Sequence, residues 1–324
     1  MNAPMKVDNV KRLGAGHLSE VLDLVEAATH VDKVAPLSEQ VLLAARGGHS
    51  ADSTTGSHFL AHAGTHLAGY AHLQAGIAGE ASTAEVVVDP SYRRQGVGTA
   101  LIDALESALQ PQDQTLRLWS HGQLDGAATF ARRDGYTTVR ELWQMRRSLG
   151  SDVGPLPAAR VPEGFKTRHF VVGRDEGAWL RLNARAFVDH LEQGRMTRDD
   201  LDQRIAQPWF DTRGLILIED SRGLAPVLAA SNWIKVEAFD DPQARPTEGE
   251  VYVVGVDPEY QGLGLGRAVT VLGLAYLRGQ GLTQAMLYVD ADNRAAVAIY
   301  SRLGFTRSAV DVMYSRAVQT PVPR

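Results

Sequence analysis

The stretch Glu250–Arg267, EVYVVGVDPEYQGLGLGR, predicts a strand, a turn and the start of a helix within one short run. The residues of Val251–Val254 are β-branched or aromatic, which is typical of a half-buried strand. Asp257-Pro258 ends this strand because proline cannot donate a ladder hydrogen bond. Gly255, near the end of the apolar run, predicts a β-bulge or a ligand close to the backbone.

Three glycines, Gly262, Gly264 and Gly266, separate the predicted strand from an apolar helical run. Such a turn predicts an anion site, because main-chain N–H groups and the positive end of the helix dipole meet there. We therefore expect a pyrophosphate at this turn. The register Q-x-x-G-x-G differs from G-x-G-x-x-G, the dinucleotide-binding pattern that opens a βαβ unit.

A second segment, Asp292–Phe305, follows a predicted strand and reads DNRAAVAIYSRLGF. Asn293 is suited to cap the helix of this segment, and Gly304 to end it. The pattern N-x-x-A-x-x-x-Y-x-x-x-G-F, together with the preceding Q-x-x-G-x-G, resembles the acetyl-CoA core of the GNAT superfamily of N-acetyltransferases. The resemblance implies acetyl-CoA as the co-substrate.

The first half of the chain repeats the second. Ala84–Pro90 matches Tyr252–Pro258, and Arg93–Gly98 matches Gln261–Gly266, with the same spacing between the copies in both cases. A period this long indicates a duplicated domain rather than a solenoid. We therefore predict an α/β fold with a mixed sheet (α+β), organised as two tandem GNAT domains.

The length of 324 residues suits two domains. We predict an N-terminal GNAT-like domain at residues 1–150 and a linker at 151–162, where proline and glycine accumulate. The C-terminal domain is then expected at 163–316, followed by a flexible tail at 317–324.

The two copies differ in chemically important residues. Counted from the V-D-P element, Glu250 corresponds to Ser82, and counted from the final G-[FY], Tyr300 corresponds to Phe130. Acyl transfer from a thioester to an amine needs a base for the amine and an acid for the thiolate. We assign these roles to Glu250 and Tyr300, and predict that only the second domain is catalytic.

A competing interpretation needs no catalysis. Glu250 then lies in solvent at the mouth of a strand, and Tyr300 is a core tyrosine whose hydroxyl is hydrogen-bonded. The simultaneous loss of both residues from the first copy favours the catalytic interpretation, although drift in a non-catalytic copy would also erase a core tyrosine.

The resemblance to tandem-domain members of the superfamily extends over almost the whole chain and implies further site residues. For the acceptor amine it implies Glu39, Glu192, Lys235, Glu250 and Tyr288. For acetyl-CoA in the second domain it implies Val254, Gly255, Val256, Gln261, Gly262, Leu263, Gly264, Leu265, Gly266, Arg267, Asn293, Arg294, Ala295, Ala296, Val297 and Ala298. A second, non-catalytic coenzyme site is implied at Val86, Val87, Val88, Arg94, Gln95, Gly96, Val97, Gly98 and Thr99.

Composition limits the other function classes. The formal net charge is −5 and no basic run is present, so we expect no nucleic-acid partner. Cysteine is absent, which excludes disulfides and thiolate chemistry, and the histidines lack carboxylates at ligand spacing, so we expect no metal. No apolar run is long enough for a membrane span. We predict a cytoplasmic monomer.

Three functions remain open from the sequence. The first is acetylation of a small-molecule amine rich in hydroxyl groups, in which carboxylates accept from hydroxyls and Lys235 donates. The second is another GNAT activity, on an aminoglycoside-like amine or a protein N-terminus. The third is a coenzyme-binding sensor without turnover.

Overall fold

A computed structural model describes residues 5–47, 56–76, 80–109, 115–150, 153–188, 191–237 and 247–318, with residues 191 and 192 described by their backbone alone. The chain forms two compact units. Unit 1 comprises Met1–Leu142 and Ala309–Arg324, and unit 2 comprises Trp143–Ser308. Of the predicted tail at 317–324, residues 319–324 lie outside the described residues.

Unit 1 alternates helices with the strands of a mixed sheet. Its elements are β1 (Lys6–Val10), α1 (Ala15–Asp32), α2 (Glu39–Ala45), β2 (Gly56–Ala63), β3 (His66–Gln74), β4 (Ser82–Val88), α3 (Val97–Ser107), β5 (Thr115–Ser120), α4 (Asp125–Arg133) and the first part of β6 (Thr137–Ser148).

The sheet of unit 1 has β1, β2, β3 and β4 paired antiparallel in sequence order, and β4 is parallel to β5. Its core joins β2, β3 and β4 to α1 and α2, with Leu60, Tyr70 and Val21 almost fully buried. A parallel pair needs a crossover connection, and α3 supplies it between β4 and β5.

Unit 2 repeats this order. Its elements are the end of β6, then β7 (Phe165–His169), α5 (Glu176–Ala186), α6 (Leu191–Gly194), α7 (Arg198–Ile205), β8 (Leu215–Asp220), β9 (Val227–Lys235), β10 (Glu248–Val256), α8 (Leu265–Gly279), β11 (Gln284–Asp290), α9 (Arg294–Arg302) and the start of β12 (Thr306–Ala317).

In unit 2, β7 to β10 pair antiparallel and β10 is parallel to β11. The sheet has two covered faces. The α5 face carries Trp179 and Leu201 against Trp233, whereas the α8 face carries Leu274 and Tyr300. The predicted mixed α/β fold is confirmed in both units. Of the helices in the described segments, none offers the run of apolar sequence that a bilayer crossing requires.

The compact units differ at their ends from the domains predicted from the repeat. Strand β6 was expected to belong wholly to the first domain, but its residues from Trp143 onward lie in unit 2, where Met145 joins the core. Strand β12 continues from unit 2 into unit 1 at Ala309, and its last residues pair antiparallel with β5. Each repeat thus gives part of its last strand to the other unit. The linker at 151–162 stays a prediction.

A buried ionic network in unit 1 holds this returning strand. His121 is 3.0 Å from Asp311 through Nδ1 and 3.4 Å from Glu85 through Nε2. The main-chain N–H of Gly122 donates to Asp311, and that of Ser38 donates to Glu85. Only 13% of the His121 side chain is exposed. The network therefore joins β4, the turn after β5, the start of α2 and the end of β12.

The protonation states in this network follow from its geometry. Burial alone would lower the pKa of His121, but its hydrogen bonds to Asp311 and Glu85 outweigh burial and raise that pKa to about 10. Burial likewise opposes ionisation of Glu85, yet the contacts with His121 and Ser38 hold its pKa below the usual value. An imidazolium therefore lies between the two carboxylates at neutral pH.

We predict that His121→Gln destabilises the protein by about 3–5 kcal/mol near pH 6, because it removes one partner of a buried ionic network. A raised histidine pKa contributes stability that is complete below about pH 6.5, its unfolded value. That contribution is lost as the pH rises to about 10. The difference in thermal midpoint between variant and wild type should therefore become smaller from pH 6 to pH 8 to pH 10.

His66→Gln is the matched control, because the exposed His66 side chain pairs with Asp89 at the surface and should contribute less than about 1 kcal/mol. If the difference in thermal midpoint for His121→Gln stayed constant across this pH range, or if His66→Gln lost as much stability, the charged network would be contradicted.

Candidate active site

A β-bulge in β10, within its antiparallel pairing with β9, distinguishes this strand from its counterpart β4 in unit 1. Val251 lies opposite Ile234 and Val253 lies opposite Trp233, so Tyr252 is an extra residue in the strand. The predicted bulge exists, but it lies three residues before Gly255. A Cβ on Gly255 would come within 3.3 Å of Ala186, so close packing of α5 against the strand accounts for that glycine.

The bulge changes which side chains share a face of the sheet. Val251 and Val254, three residues apart, both pack on the α8 face. Val253 packs on the α5 face, and Glu250 lies on that face too because it precedes Val251 in an alternating strand. The half-buried carboxylate of Glu250 therefore lies on the α5 face, next to the bulge.

The ladder between β10 and β11 ends close to this bulge. Its last pair is Val251 with Leu287, although β10 continues to Val256 and β11 to Asp290. Beyond that pair, Val254–Val256 remain paired with β9 but have no ladder partner on the side of β11, so the sheet is open between β10 and β11 there. The resemblance implies acetyl-CoA contacts at this stretch, and its main-chain N–H groups are candidate donors to a thioester carbonyl.

Lys235 is directly opposite Glu250 in the antiparallel ladder. Its side chain is only 7% exposed and its Nζ lies 2.7 Å from a carboxylate oxygen of Glu237. The same Nζ is 5.3 Å from the ring centroid of Trp209 and 5.7 Å from that of Tyr252, which is the geometry of a cation–π contact. The ammonium is therefore held in place beside Glu250.

Tyr252, the bulged residue, is itself fixed from two sides. Its hydroxyl accepts a hydrogen bond of 2.9 Å from Nε of the buried Arg204. Its ring contacts Trp233 and Trp209 at centroid distances of 5.6 and 5.5 Å. These aromatic residues form a rigid wall around Lys235.

Tyr288 lies on β11 two residues after Met286, which is the partner of Glu250 in the parallel ladder. Residues two apart in a strand share a face, so Tyr288 joins Glu250 and Lys235 on the α5 face. The Tyr288 side chain is 39% exposed. Three predicted acceptor residues are thus brought to one surface of unit 2.

The other two predicted acceptor residues lie elsewhere in the chain. Glu39 is the first residue of α2 in unit 1, after Ser38, whose hydroxyl caps the helix by accepting from Val41. Glu192 is in α6, and its side chain lies outside the described residues. Their roles stay predictions.

Tyr300 is on the α8 face, 8% exposed within a core of aliphatic residues. Burial raises the pKa of its hydroxyl to about 12. Within the described residues its hydroxyl makes no hydrogen bond, and its ring meets Phe305 edge-on at 5.9 Å. Glu250 and Tyr300 therefore lie on opposite faces of the sheet. The opening between β10 and β11 lies between those two faces.

The predicted pyrophosphate turn has the expected shape. Gly262 and Gly264 have φ of +80° and +81°, and Gly264 is the N-cap of α8. Side chains from Gln261 to Gly264 are exposed, and nothing lies within 4 Å of a Cβ built on either glycine. The turn therefore presents a bare helix N-terminus to solvent, as an anion site requires.

The second predicted coenzyme segment begins α9. Asn293 is its N-cap and accepts a 3.1 Å hydrogen bond from the N–H of Ala296, as predicted. Asn293, Arg294, Ala295 and Ala298 are exposed. Both segments are thus accessible to a coenzyme, and their contacts with acetyl-CoA stay predictions. Among the described residues, no group of three or more histidine and acidic side chains could hold a metal ion.

The first repeat keeps the turn but lacks the bulge. Gly96 caps α3 with φ of +90°, and Arg94 adopts φ of +62° at the position of Gly262. In contrast, β3 and β4 pair in an uninterrupted register from Gly69/Val88 to Gln74/Thr83.

Strand pairing also corrects the residue that corresponds to Glu250. Because the bulge adds one residue, Thr83 rather than Ser82 is equivalent to Glu250, each pairing with the last residue of the preceding strand. The first copy has no carboxylate at this position under either alignment. Instead, Glu85 is equivalent to Val253, and its carboxylate belongs to the network with His121.

Sequence reasoning missed Trp209 and Tyr252 as neighbours of Lys235, as well as Gln144, which contacts Tyr288. Trp209 lies in no motif of the sequence, and Tyr252 is predicted only as a residue of the strand. Gln144 was missed because its strand was assigned entirely to the first domain. No local pattern marks these contacts.

Comparison with known proteins agrees with this architecture. The acetyltransferase (GNAT) family model matches residues 188–305, and an acetyltransferase (GNAT) domain model matches residues 54–138. The chain is thus a GNAT acetyltransferase with two domains in tandem, and GNAT acetyltransferases use acetyl-CoA. The predicted enzyme class is confirmed.

Relatives across the whole chain are more specific. A protein of Thermomonospora curvata named mycothiol acetyltransferase is 51% identical over 308 residues, covering 94% of both chains. One of Geodermatophilus obscurus with the same name is 48% identical and covers 98% of this chain and 100% of its own. The chain belongs to the mycothiol acetyltransferase family.

Solved structures share the fold at low identity. A tandem GNAT protein from the clavulanic acid biosynthesis pathway has a TM-score of 0.73 at 18% identity, covering 98% of this chain and all of that chain. A GCN5-related N-acetyltransferase from Sphaerobacter thermophilus has a TM-score of 0.66 at 23% identity, covering 98% and 97%. The tandem arrangement is therefore shared beyond the near relatives.

The two glycine turns allow a matched test of which site supports turnover. Gly264→Glu and Gly96→Glu both place a carboxylate at a helix N-cap with positive φ, and each should cost about 1–2 kcal/mol of backbone strain. We expect Gly264→Glu to lower kcat/KM for acetyl-CoA more than about 100-fold, because like charges then oppose each other. Gly96→Glu should retain turnover within about threefold of wild type.

Steady-state kinetics and thermal midpoints measured on both variants separate strain from charge. Similar midpoints with unequal turnover support the assignment of catalysis to the second repeat. A large loss of turnover in folded Gly96→Glu would contradict it.

Proposed function

We propose that the protein is a mycothiol synthase. It transfers acetyl from acetyl-CoA to the cysteinyl amine of 1D-myo-inositol 2-(L-cysteinylamino)-2-deoxy-glucopyranoside (Cys-GlcN-Ins), which gives mycothiol in the last step of its biosynthesis. Relatives that are 48–51% identical to this chain share the name mycothiol acetyltransferase, which supports this acceptor. The observation that carries the catalytic assignment is the bulge of β10, which places Glu250 beside an opening in the sheet.

The acceptor is expected on the α5 face of unit 2. Glu250, Lys235 and Tyr288 offer a carboxylate, a held ammonium and a phenol there, which suit the hydroxyl, ether and amine groups of an amino-sugar conjugate. Glu39 and Glu192 remain proposed contacts of the same acceptor.

Glu250 accepts the proton of the attacking amine as the new N–C bond forms, directly or through a water molecule. A cysteinyl α-amine has a reference pKa of about 7.7–8.0, so a large fraction is already neutral at physiological pH. The base therefore needs only modest strength.

Tyr300 donates its proton to the thiolate that leaves as the S–C bond breaks. Its raised pKa keeps the hydroxyl protonated across the working pH range. Main-chain N–H groups of Val254–Val256 polarise the thioester carbonyl, and the N-terminus of α8 holds the pyrophosphate. The first repeat keeps an equivalent turn for a non-catalytic coenzyme site.

A second function is acetylation of a different amine, such as an aminoglycoside or a protein N-terminus. The same base and acid would serve it, so the acceptor alone separates the two. The expectations of a monomer, of a cytoplasmic location and of no nucleic-acid or membrane partner stay predictions.

Offering Cys-GlcN-Ins, an aminoglycoside and a peptide in parallel tests the acceptor. We expect kcat/KM to be highest with Cys-GlcN-Ins, and mass spectrometry to show one acetyl group on its cysteinyl nitrogen. A preference for either competitor would refute the proposed acceptor and leave the acetyltransferase assignment in place.

Two isosteric substitutions test the proton transfers. We expect Glu250→Gln to lower kcat by about 10²–10⁴-fold, the usual contribution of a positioned base. Tyr300→Phe should lower kcat and leave the thermal midpoint unchanged, because no hydrogen bond within the described residues is lost. Unchanged turnover in either variant would remove that residue from the mechanism.

A further inference from the structure

The hydroxyl of Tyr288 is held by a chain of side chains that the proposed mechanism does not use. Nε2 of Gln144 is 2.9 Å from the Tyr288 hydroxyl oxygen, and Oε1 of Gln144 is 3.0 Å from a guanidinium nitrogen of Arg146. Arg146 also donates to Glu248 at 2.7 Å and to the hydroxyl of Ser308 at 2.7 Å. Gln144 is 6% exposed, and both of its hydrogen-bond partners, Tyr288 and Arg146, belong to unit 2.

The direction of these hydrogen bonds follows from the chemistry of arginine. A guanidinium has only donors, so the oxygen of the Gln144 amide must face Arg146 and its NH₂ group must face Tyr288. The opposite orientation would set two donors against each other at a buried residue. The Tyr288 oxygen is therefore the acceptor from Gln144, and its own hydrogen points away from Gln144.

We infer that Gln144, held by Arg146, is a positioning residue that makes Tyr288 a hydrogen-bond donor on the α5 face and thereby selects acceptor substrates with an oxygen at that point. A phenol that already accepts a hydrogen bond is a better donor, because hydrogen bonds in a chain polarise one another. The chemical class selected is an amine carrying a hydroxyl, ether or carbonyl oxygen. This inference rests on the proposed place of the acceptor beside Glu250 and Tyr288.

Unit 1 lacks the equivalent device among its described residues. The position of Tyr288 is occupied by Trp119, which pairs with Glu85 on β4 and with Met313 on β12. An indole can donate only through its ring nitrogen and has no oxygen to accept a hydrogen bond. The guanidinium of Arg140 instead lies over the Trp119 ring, 5.2 Å from its centroid. The relay therefore belongs to the unit to which we assign catalysis.

Gln144→Glu tests the direction of the relay with almost no change in shape. A carboxylate can pair with Arg146 but cannot donate, so the Tyr288 hydrogen turns toward it. We expect KM for the amine to rise about 10- to 100-fold, the size of an opposed hydrogen bond, with KM for acetyl-CoA unchanged. Gln144→Met removes the hydrogen bond to Tyr288 without placing an acceptor there, so it should raise the KM for the amine less than Gln144→Glu does.

The double-variant comparison separates positioning from a structural effect. In Tyr288→Phe, the further change Gln144→Glu should leave the amine KM unaltered, because the hydroxyl it acts through is absent. The kinetic measurements use the amine that the wild-type protein prefers in the parallel acceptor assay. If that amine is not Cys-GlcN-Ins, the proposed function is refuted but this test remains valid. An unchanged amine KM in Gln144→Glu, or an equal penalty with and without the Tyr288 hydroxyl, would overturn the relay.

Discussion

One extra residue in β10 is the constraint on which the site of unit 2 depends. Tyr252 interrupts the ladder with β9, and its ring is fixed by Arg204 and by neighbouring indoles. The extra residue of a bulge is left outside the regular pairing of the strand, so its position depends on the packing around it. The aromatic wall supplies that packing and also holds Lys235. The same residues therefore shape the backbone and the surface beside Glu250.

The two repeats keep the same glycine turn but differ at the position of the proposed base. Both keep a glycine N-cap with positive φ after the V-D-P element. In unit 1, however, the strand is regular, and the position of the apolar Val253 is taken by Glu85, which is neutralised by His121. A buried carboxylate paired with an imidazolium is held for structure and is poorly suited to exchange protons with a substrate.

The sequence predicted the duplicated fold from its repeated motifs. It predicted the glycine turns and the Asn293 cap because each depends on local chemistry, such as a positive φ or a side-chain hydrogen bond. At Gly255 it predicted a bulge or a ligand close to the backbone, whereas the bulge lies at Tyr252, because an added residue leaves no mark in a run in which both faces are apolar. The exchange of strand ends between repeats could not be predicted either. Strands β6 and β12 have similar alternation, and only long-range pairing decides which core receives Met145.

That exchange has a chemical consequence for the second repeat. Because β6 ends in unit 2, a strand of the first repeat provides Gln144 and Arg146 to a surface otherwise built from the second. The proposed base, Glu250, and the proposed acid, Tyr300, both come from the second repeat and lie on opposite faces of one sheet. Burial keeps the phenol protonated, while the half-buried carboxylate lies on the α5 face, where we propose that the acceptor binds. In this proposal the aliphatic core keeps the phenol as the acid, and the sheet separates it from the carboxylate that acts as the base.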